Sequence, residues 1–371
     1  MRGSVSRGAR GRPVRPEELG AADVSRWREL QHADPALTNP FLAPEYAIAV
    51  GAVRPQARVA VLDEGFFAFE DHGTGIGLPL GAGLSDQQAV IGGKDVDARE
   101  LAARCGVHAQ WFEHVPEPLL PDGVNRVVRY PSPVIDLSEG YEAFFERRRR
   151  ASKSLVPTMQ RKRRKMEREI GPTRFVFASN DRAVLRDVMR WKSQRYAELG
   201  AWDRFAAPST IALVEALHTT QAPGCSGTLS VLYAGDEVAA AHFGLRSEQV
   251  LTSWFPTYNP EFGRYSPGLL LHFLMAEAAA ECGMVAFDLG AGDHGYKDVL
   301  RASEGTLARG WAFRGSAAGI GRRVATAPGH GIRSLARRSP RVRMAMRGVR
   351  DNVRAAGARL GRNAHVDSGD G

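Results

Sequence analysis

The segment Phe287-Asp-Leu-Gly-Ala-Gly-Asp-His-Gly-Tyr-Lys297 concentrates more reactive side chains than any other stretch of this 371-residue chain. An apolar strand ending runs into glycines and then brings a phenol, Tyr296, and an ammonium, Lys297, to one place. Asp288 sits at the strand terminus, where a carboxylate borders the cleft expected at strand carboxyl ends; capping the loop glycines explains it equally well. Asp288, Tyr296 and His242 are the groups able to move a proton. A single histidine on a strand is more often a packing residue, which is the alternative for His242. For Lys297 the alternative is an ion pair with Asp293 or Asp298.

The elements that must position these groups follow from the pattern around them. Residues 228–233, 237–245 and 250–255 read as successive antiparallel strands, with Gly235-Asp as a turn. Ser266-Pro267 starts a helix, with Ser266 as N-cap and Pro267 at the first helical position. That helix runs to about Cys282, Gly283 stops it, and 284–288 returns as a strand parallel to the sheet. A ligand then belongs at the strand carboxyl ends, beside the helix N-terminus. Trp254 and Tyr258 offer aromatic faces to an acceptor groove, with core packing the favoured alternative for Trp254. Trp191, Lys192 and Arg195, on a helix over 182–199, could face the same cleft.

Upstream, 57–62 and 65–69 alternate as a hairpin turning at Asp63-Glu64, 24–31 and 96–105 read as helices, and 109–113 and 126–130 as strands. The glycine-rich stretch 73–83 opens no helix and lacks a P-loop lysine, so it reads as strand ends and turns. Helix 141–150 leads into a basic run interrupted at Pro157, because proline cannot donate within a helix. The expected organisation is a disordered basic N-terminus over 1–16, one unit over 17–138, a second over 139–313, and an arginine-rich tail over 314–371. Within the tail, 340–361 has the narrow apolar stripe of an amphipathic helix.

The net charge of +9 is unevenly placed: 1–16 carries +5, 147–168 carries +10 and 314–362 carries +12. Such runs meet a polyanion or an anionic membrane, or are simply solvated. The three cysteines have neither metal-ligand nor disulfide spacing, so no metal is expected and a reducing cytoplasm fits. No apolar run of signal-peptide length follows the basic N-terminus, and His272, Glu277 and Glu281 interrupt the longest apolar run, which argues against a membrane span.

Four segments, Asn39-Pro-Phe-Leu-Ala-Pro-Glu-Tyr46, Leu84-Ser-Asp-Gln-Gln-Ala-Val-Ile91, Tyr265-Ser-Pro-Gly-Leu-Leu-Leu271 and 287–297, together resemble the GNAT acetyltransferases of the cellulose-biosynthesis (CelD/BcsL) type. The likeness covers roughly residues 20–313 and extends in architecture to the Fem peptidyltransferases. It implies an α/β (α+β) fold of two tandem GNAT-like domains with mixed, mainly antiparallel sheets. It implies a transferase that passes the acyl group of acetyl-CoA or another acyl-CoA to an amine, in polysaccharide or glycoconjugate synthesis. Arg264, Tyr265, Ser266, Gly268 and Leu269 stand where GNAT enzymes hold the coenzyme A pyrophosphate on backbone N–H groups, although Pro267 removes one donor. A lysine in the Fem relatives stabilises the acyl donor, and the likeness carries that role to Lys297. Two other readings stay open: a Fem-like transferase using aminoacyl-tRNA, which the basic run favours, and a silent scaffold recruited by its tail to a membrane-bound synthase. The expected location is the cytoplasm, including the inner face of the membrane.

Overall fold

A computed structural model describes residues 12–93, 96–292, 295–300 and 303–315. Its first part contains α1 (Ala21–Ala33), α2 (Pro44–Val53), β1 (Ala57–Val61), β2 (Phe66–Asp71), β3 (Ile76–Pro79), α3 (Ala98–Arg104), β4 (Ala109–Pro116) and β5 (Asn125–Asp136). Then come α4 (Tyr141–Ala151), α5 (Leu155–Glu169), β6 (Thr173–Val176), α6 (Arg182–Glu198) and α7 (Pro208–Thr219). The strands β7 (Gln221–Ala222), β8 (Cys225–Ala234), β9 (Glu237–Arg246), β10 (Val250–Thr252) and β11 (Phe255–Tyr258) follow. Last are α8 (Pro267–Glu281), β12 (Ala286–Asp288), α9 (Tyr296–Leu300) and β13 (Ser303–Phe313).

All the described strands join one mixed sheet, in the order β1-β2-β3-β4-β13-β5-β12-β10-β9-β8-β6, with β11 on β9 and β7 on β8. Among the described strands only β3–β4 and β10–β12 pair in parallel, so the sheet is mainly antiparallel as expected. The α8 crossover carries the chain from β10–β11 to β12, which is why β12 lies parallel to β10. On its other edge β12 pairs antiparallel with β5, Phe287 facing Ile135, and so connects the strands of the two predicted units. The last strand, β13, lies between β4 and β5 and is antiparallel to both. A cut at 138/139 therefore separates β13 from both its partners.

Helices cover the sheet because their apolar stripes need it. Trp27, Tyr46, Leu213 and Phe243 share one core, formed by α1, α2 and α7 on β8 and β9. Phe144, Leu271, Phe273 and Phe287 form a second around α8, and Leu101, Phe67 and Phe112 a third under α3. Cys105 and Cys225 are buried and their thiols are pushed up by that burial, whereas Cys282 is exposed. We expect a chromogenic disulfide reagent to titrate only Cys282 in the native protein and the other two thiols after denaturation; early reaction of a second thiol would contradict this core.

Three local expectations need correction. Order reaches further back than residue 16: Val14 exchanges both backbone hydrogen bonds with Val59, at 2.9 and 2.8 Å, and Pro16–Glu18 forms a 3-10 turn. The break in the basic run comes at 152–154, not at Pro157, which sits in the first turn of α5, where a missing N–H costs nothing. Ser266 is not a side-chain cap; it is left-handed, at φ 53° and ψ 49°, and its hydroxyl turns elsewhere. Residues 1–11 and the proposed tail helix 340–361 lie outside the described residues. No described helix is long and apolar enough to cross a membrane.

Candidate active site

Asp288 ends β12, and four donors from four parts of the chain converge on its carboxylate. Asn39 Nδ2 and Gln87 Nε2 each donate to Oδ2 at 3.1 Å. Ser132 Oγ (3.3 Å) and the Gly290 N–H (2.8 Å) donate to Oδ1. Both oxygens are thus engaged. Burial still holds the Asp288 carboxyl above the usual range, against the pull of these donors and of Lys297. The motifs at 39–46 and 84–91 thereby meet the motif at 287–297, and Asn39, Gln87 and Ser132, which the sequence alone does not single out, are partners of Asp288.

Asp86 lies beside this hub. Burial, and then the neighbouring Asp288, push its carboxyl up to about 7, with Lys297 and Arg204 pulling the other way. A Cβ placed on Gly290 would lie 3.3 Å from Asp86 Oδ2 and 3.8 Å from Lys297 Nζ, so the two charged groups flank the same glycine, itself at φ 75°. Lys297 Nζ donates to the carbonyls of Gly290 (3.0 Å) and Ala291 (2.9 Å), fastening the loop back on itself. Its pKa is lowered by burial and supported by Asp86 and Asp288. The proposed partner Asp293 lies outside the described residues. Asp86 was within a quoted motif, but only the fold brings its carboxylate beside Lys297.

The β10–β12 pairing ends where Ser253 donates its N–H to the Asp288 carbonyl, at 2.8 Å. Beyond that bond β11 continues along β9, while the chain after Asp288 turns off through the glycines. Tyr296 stands at this divergence with its ring 4.7 Å from that of His272. Burial raises the Tyr296 phenol, and the Ser253 hydroxyl offsets part of that rise. His272, on α8, donates Nδ1–H to the Gly268 carbonyl at 2.7 Å and leaves Nε2 buried without a partner among the described residues. Burial brings its pKa down to about 4, so the ring is neutral at pH 7. His242 is completely buried, and its Nε2 accepts the Trp254 N–H at 3.2 Å. Burial, then His272 and Lys192, lower its pKa well below the usual histidine range. It is a neutral strut for the bend at Trp254, and His272 is the imidazole with an acceptor to spare.

At the N-terminus of α8, the Ser266 hydroxyl bonds Lys162 Nζ of α5 at 2.6 Å, adding an ammonium to the helix dipole. Arg264 is diverted: it lies 4.7 Å from the Tyr265 ring centre and 3.4 Å from Glu169, to which the Tyr265 hydroxyl also donates at 2.7 Å. Gly268 packs beneath Tyr258, whose carbons would be 3.6 Å from a Cβ there, and Leu269 follows half-buried in the first turn. Tyr258 is 45% exposed and free to meet a ligand.

The remaining predicted contacts are redistributed. Trp254 is core, its indole N–H donating to the Leu84 carbonyl at 2.9 Å and its ring 4.6 Å from Phe255. Trp191 is buried, and Arg195 reaches Glu198 on the surface at 2.8 Å. A one-to-four spacing could not place all three α6 residues together, and only Lys192 lies among the site charges, next to Arg204 and Lys297. A separate cavity of about 310 Å³ opens between α1 and the turns at 223–224 and 247–249, and none of the predicted site residues lines it. No cluster of three or more His, Cys, Asp or Glu side chains among the described residues is arranged to hold a metal ion.

Comparison with known proteins places this geometry in a family context. A conserved protein of unknown function from Bacteroides thetaiotaomicron has a similar structure, with a TM-score of 0.53 and 12% identity over 79% of this chain and 98% of its own. FemX superposes with a TM-score of 0.51 and 10% identity, over 78% of this chain and 96% of its own. A tandem GNAT protein from the clavulanic acid biosynthesis pathway covers 82% of this chain and 98% of its own at 12% identity, with a TM-score of 0.42. No curated protein sequence matches the chain. At these identities the first two solved structures share the fold alone. Residues 148–298, which hold α5, α8, β12 and Lys297, match the acetyltransferase (GNAT) domain family, so the chain carries a GNAT-type domain over that stretch, while Asn39, Asp86, Gln87 and Ser132 lie before it.

Proposed function

We propose that the protein is an acyl-CoA-dependent N-acyltransferase acting on an amine acceptor, with polysaccharide or glycoconjugate synthesis as the setting that the CelD/BcsL resemblance suggests. The observation that carries this reading is Asp86, a carboxyl held at about 7 beside Lys297 where β10–β11 and β12 part. An acceptor amine is protonated at neutral pH and must lose a proton to attack, and a carboxylate with this pKa takes that proton with little driving force lost. In this reading the acyl donor lies where β10–β11 and β12 part. One buried polar atom there, His272 Nε2, has no hydrogen-bond partner among the described residues, and it suits an amide N–H of a pantetheine arm. Lys162 and the N-terminus of α8, with Arg264, Tyr265, Ser266, Gly268 and Leu269 around it, would hold phosphates.

When bound, acyl-CoA supplies an electrophilic carbonyl carbon and a thiolate leaving group. The C–N bond forms as the C–S bond breaks; in this reading Asp86 receives the amine proton and the Tyr296 hydroxyl protonates the departing sulfur. Lys297 stabilises the developing negative charge and holds the 290–291 carbonyls, and Asp288 fixes the loop that carries both.

The pH dependence follows from Asp86. Its folded pKa lies above the ordinary carboxylate value, so the native state binds the extra proton between about 4 and 7; this contribution to stability is present at low pH and fades as pH rises through 7. Activity runs the opposite way, and we expect kcat/KM to rise with pH along a limb centred near 7. Asp86→Asn should abolish that limb and lower kcat/KM by roughly 10²–10⁴-fold. Release of coenzyme A, followed spectroscopically across pH 5–9, checks this; an unchanged limb in Asp86→Asn would exclude Asp86 as the base.

A second reading, transfer from aminoacyl-tRNA, is favoured by the exposed arginines Arg161, Arg164 and Arg168 at helical spacing on α5. It predicts tRNA binding that weakens steeply with salt.

A further inference from the structure

Positive charge dominates the corner of the site between α6 and the 80–88 loop. Lys192 holds its Nζ 5.1 Å from the centre of the Tyr196 ring, its one close polar or aromatic contact among the described residues. Burial and three like charges, Arg204, Arg195 and Lys297, bring its pKa down to about 8. Arg204 donates to the Gly83 carbonyl and the Tyr196 hydroxyl, both at 2.9 Å and both neutral. Arg195 is paired with Glu198 and Lys297 is supported by Asp86 and Asp288, but among the described residues no carboxylate forms an ion pair with Lys192 or Arg204. Asp86 is half protonated near pH 7. Asp288 is occupied by four donors. Asp203 accepts from Ser193 and the Phe205 N–H. Trp202, 65% exposed, forms the rim, 3.5 Å from a Cβ built on Gly83.

A half-buried ammonium with a ring face and no anion is stabilised most by a ligand that brings one. We infer that the acceptor is a zwitterion: an amine that also carries a carboxylate or phosphate, its anion held by Lys192 and Arg204 and its amine presented to Asp86. Trp202 would cover the carbon skeleton between the two. This rests on the acyltransferase reading, with the acceptor class now set by the charges of the site. Amino acids and amino-sugar phosphates share this chemistry, and the test separates them.

The binding step is measurable without any acyl donor. An anion beside Lys192 raises its pKa, so at pH 8 a binding ligand should draw up to about half a proton from the buffer. Isothermal titration in two buffers of different ionisation enthalpy reads that uptake, using a series of α-amino acids, glucosamine 6-phosphate and methyl glucosaminide. We expect at least one of the two anionic classes to bind at least tenfold more tightly than methyl glucosaminide, with proton uptake. Lys192→Met should weaken this binding by tenfold or more and abolish the uptake. Lys192→Arg should retain affinity within about threefold yet show no uptake, because arginine does not titrate at this pH. Equal binding of methyl glucosaminide, or uptake that persists in Lys192→Met, overturns the inference, as does the failure of every anionic amine to bind. Coenzyme A release is scored separately, so anion binding without acyl transfer would retire the enzymatic reading and leave the subsite standing.

Discussion

Lys297→Ala is expected to lower kcat/KM for acyl transfer by roughly 10²–10³-fold, the size associated with losing a fixed charge aimed at a transition state. Two effects contribute. The ammonium that donates to the Gly290 and Ala291 carbonyls disappears, so the loop between Asp288 and Tyr296 loses its fastening. The cation that helps to ionise Asp86 and Asp288 disappears as well, and both carboxyls move further up. The sign is fixed: without Lys297 the acid limb of the rate profile shifts from near 7 to higher pH, and activity at neutral pH falls more than activity at pH 9. Lys297→Arg should rescue the limb better than the rate, because a planar guanidinium preserves the charge but cannot place one nitrogen on both carbonyls. The limb distinguishes an electrostatic role from loop anchoring alone, which would lower the melting temperature and leave the limb in place. Full turnover by Lys297→Ala with an unmoved limb would remove this residue from the mechanism.

The sequence made the local elements readable because each rests on short-range rules. Alternation marks β1 and β2, proline at the first position marks α8, and Gly283 ends it. The parallel return of β12 was readable too, since a helix of this length between two strands permits little else. The placement of β13 between β4 and β5 was not, because nothing near 303–313 records which edge it will find. The same limit applies at the site. The glycine loop and Lys297 are visible as neighbours in sequence, whereas the approach of Asp86 to Lys297 joins residues remote in the chain. His242 and Trp254 attracted attention by residue type, and their burial shows how little type says without position. His272 has no site signature for the opposite reason: it lies inside an apolar run, and only an Nε2 without a partner among the described residues distinguishes it from packing.

Asp288→Ala should destabilise the protein by about 3–5 kcal/mol, the largest single effect expected on stability, because it strands four donors in a buried setting. Asn39, Gln87 and Ser132 come from the α1–α2 connection, the 80–88 loop and β5, so the carboxylate joins segments remote in sequence at the end of β12. Asp288→Asn tests the hydrogen bonding more sharply. Asparagine has nearly the same shape, but all four partners are donors, and its amide NH2 would face two of them; at least half of the alanine penalty should remain. Urea titration of both variants measures this, with an unchanged slope expected if the folded and unfolded states keep their extents. Wild-type stability in Asp288→Asn would mean that the four contacts are not cooperative and that this carboxylate is available for chemistry after all. A destabilised Asp288→Asn that still shows the acid limb near 7 would separate the two carboxyls, with Asp288 building the loop and Asp86 titrating within it.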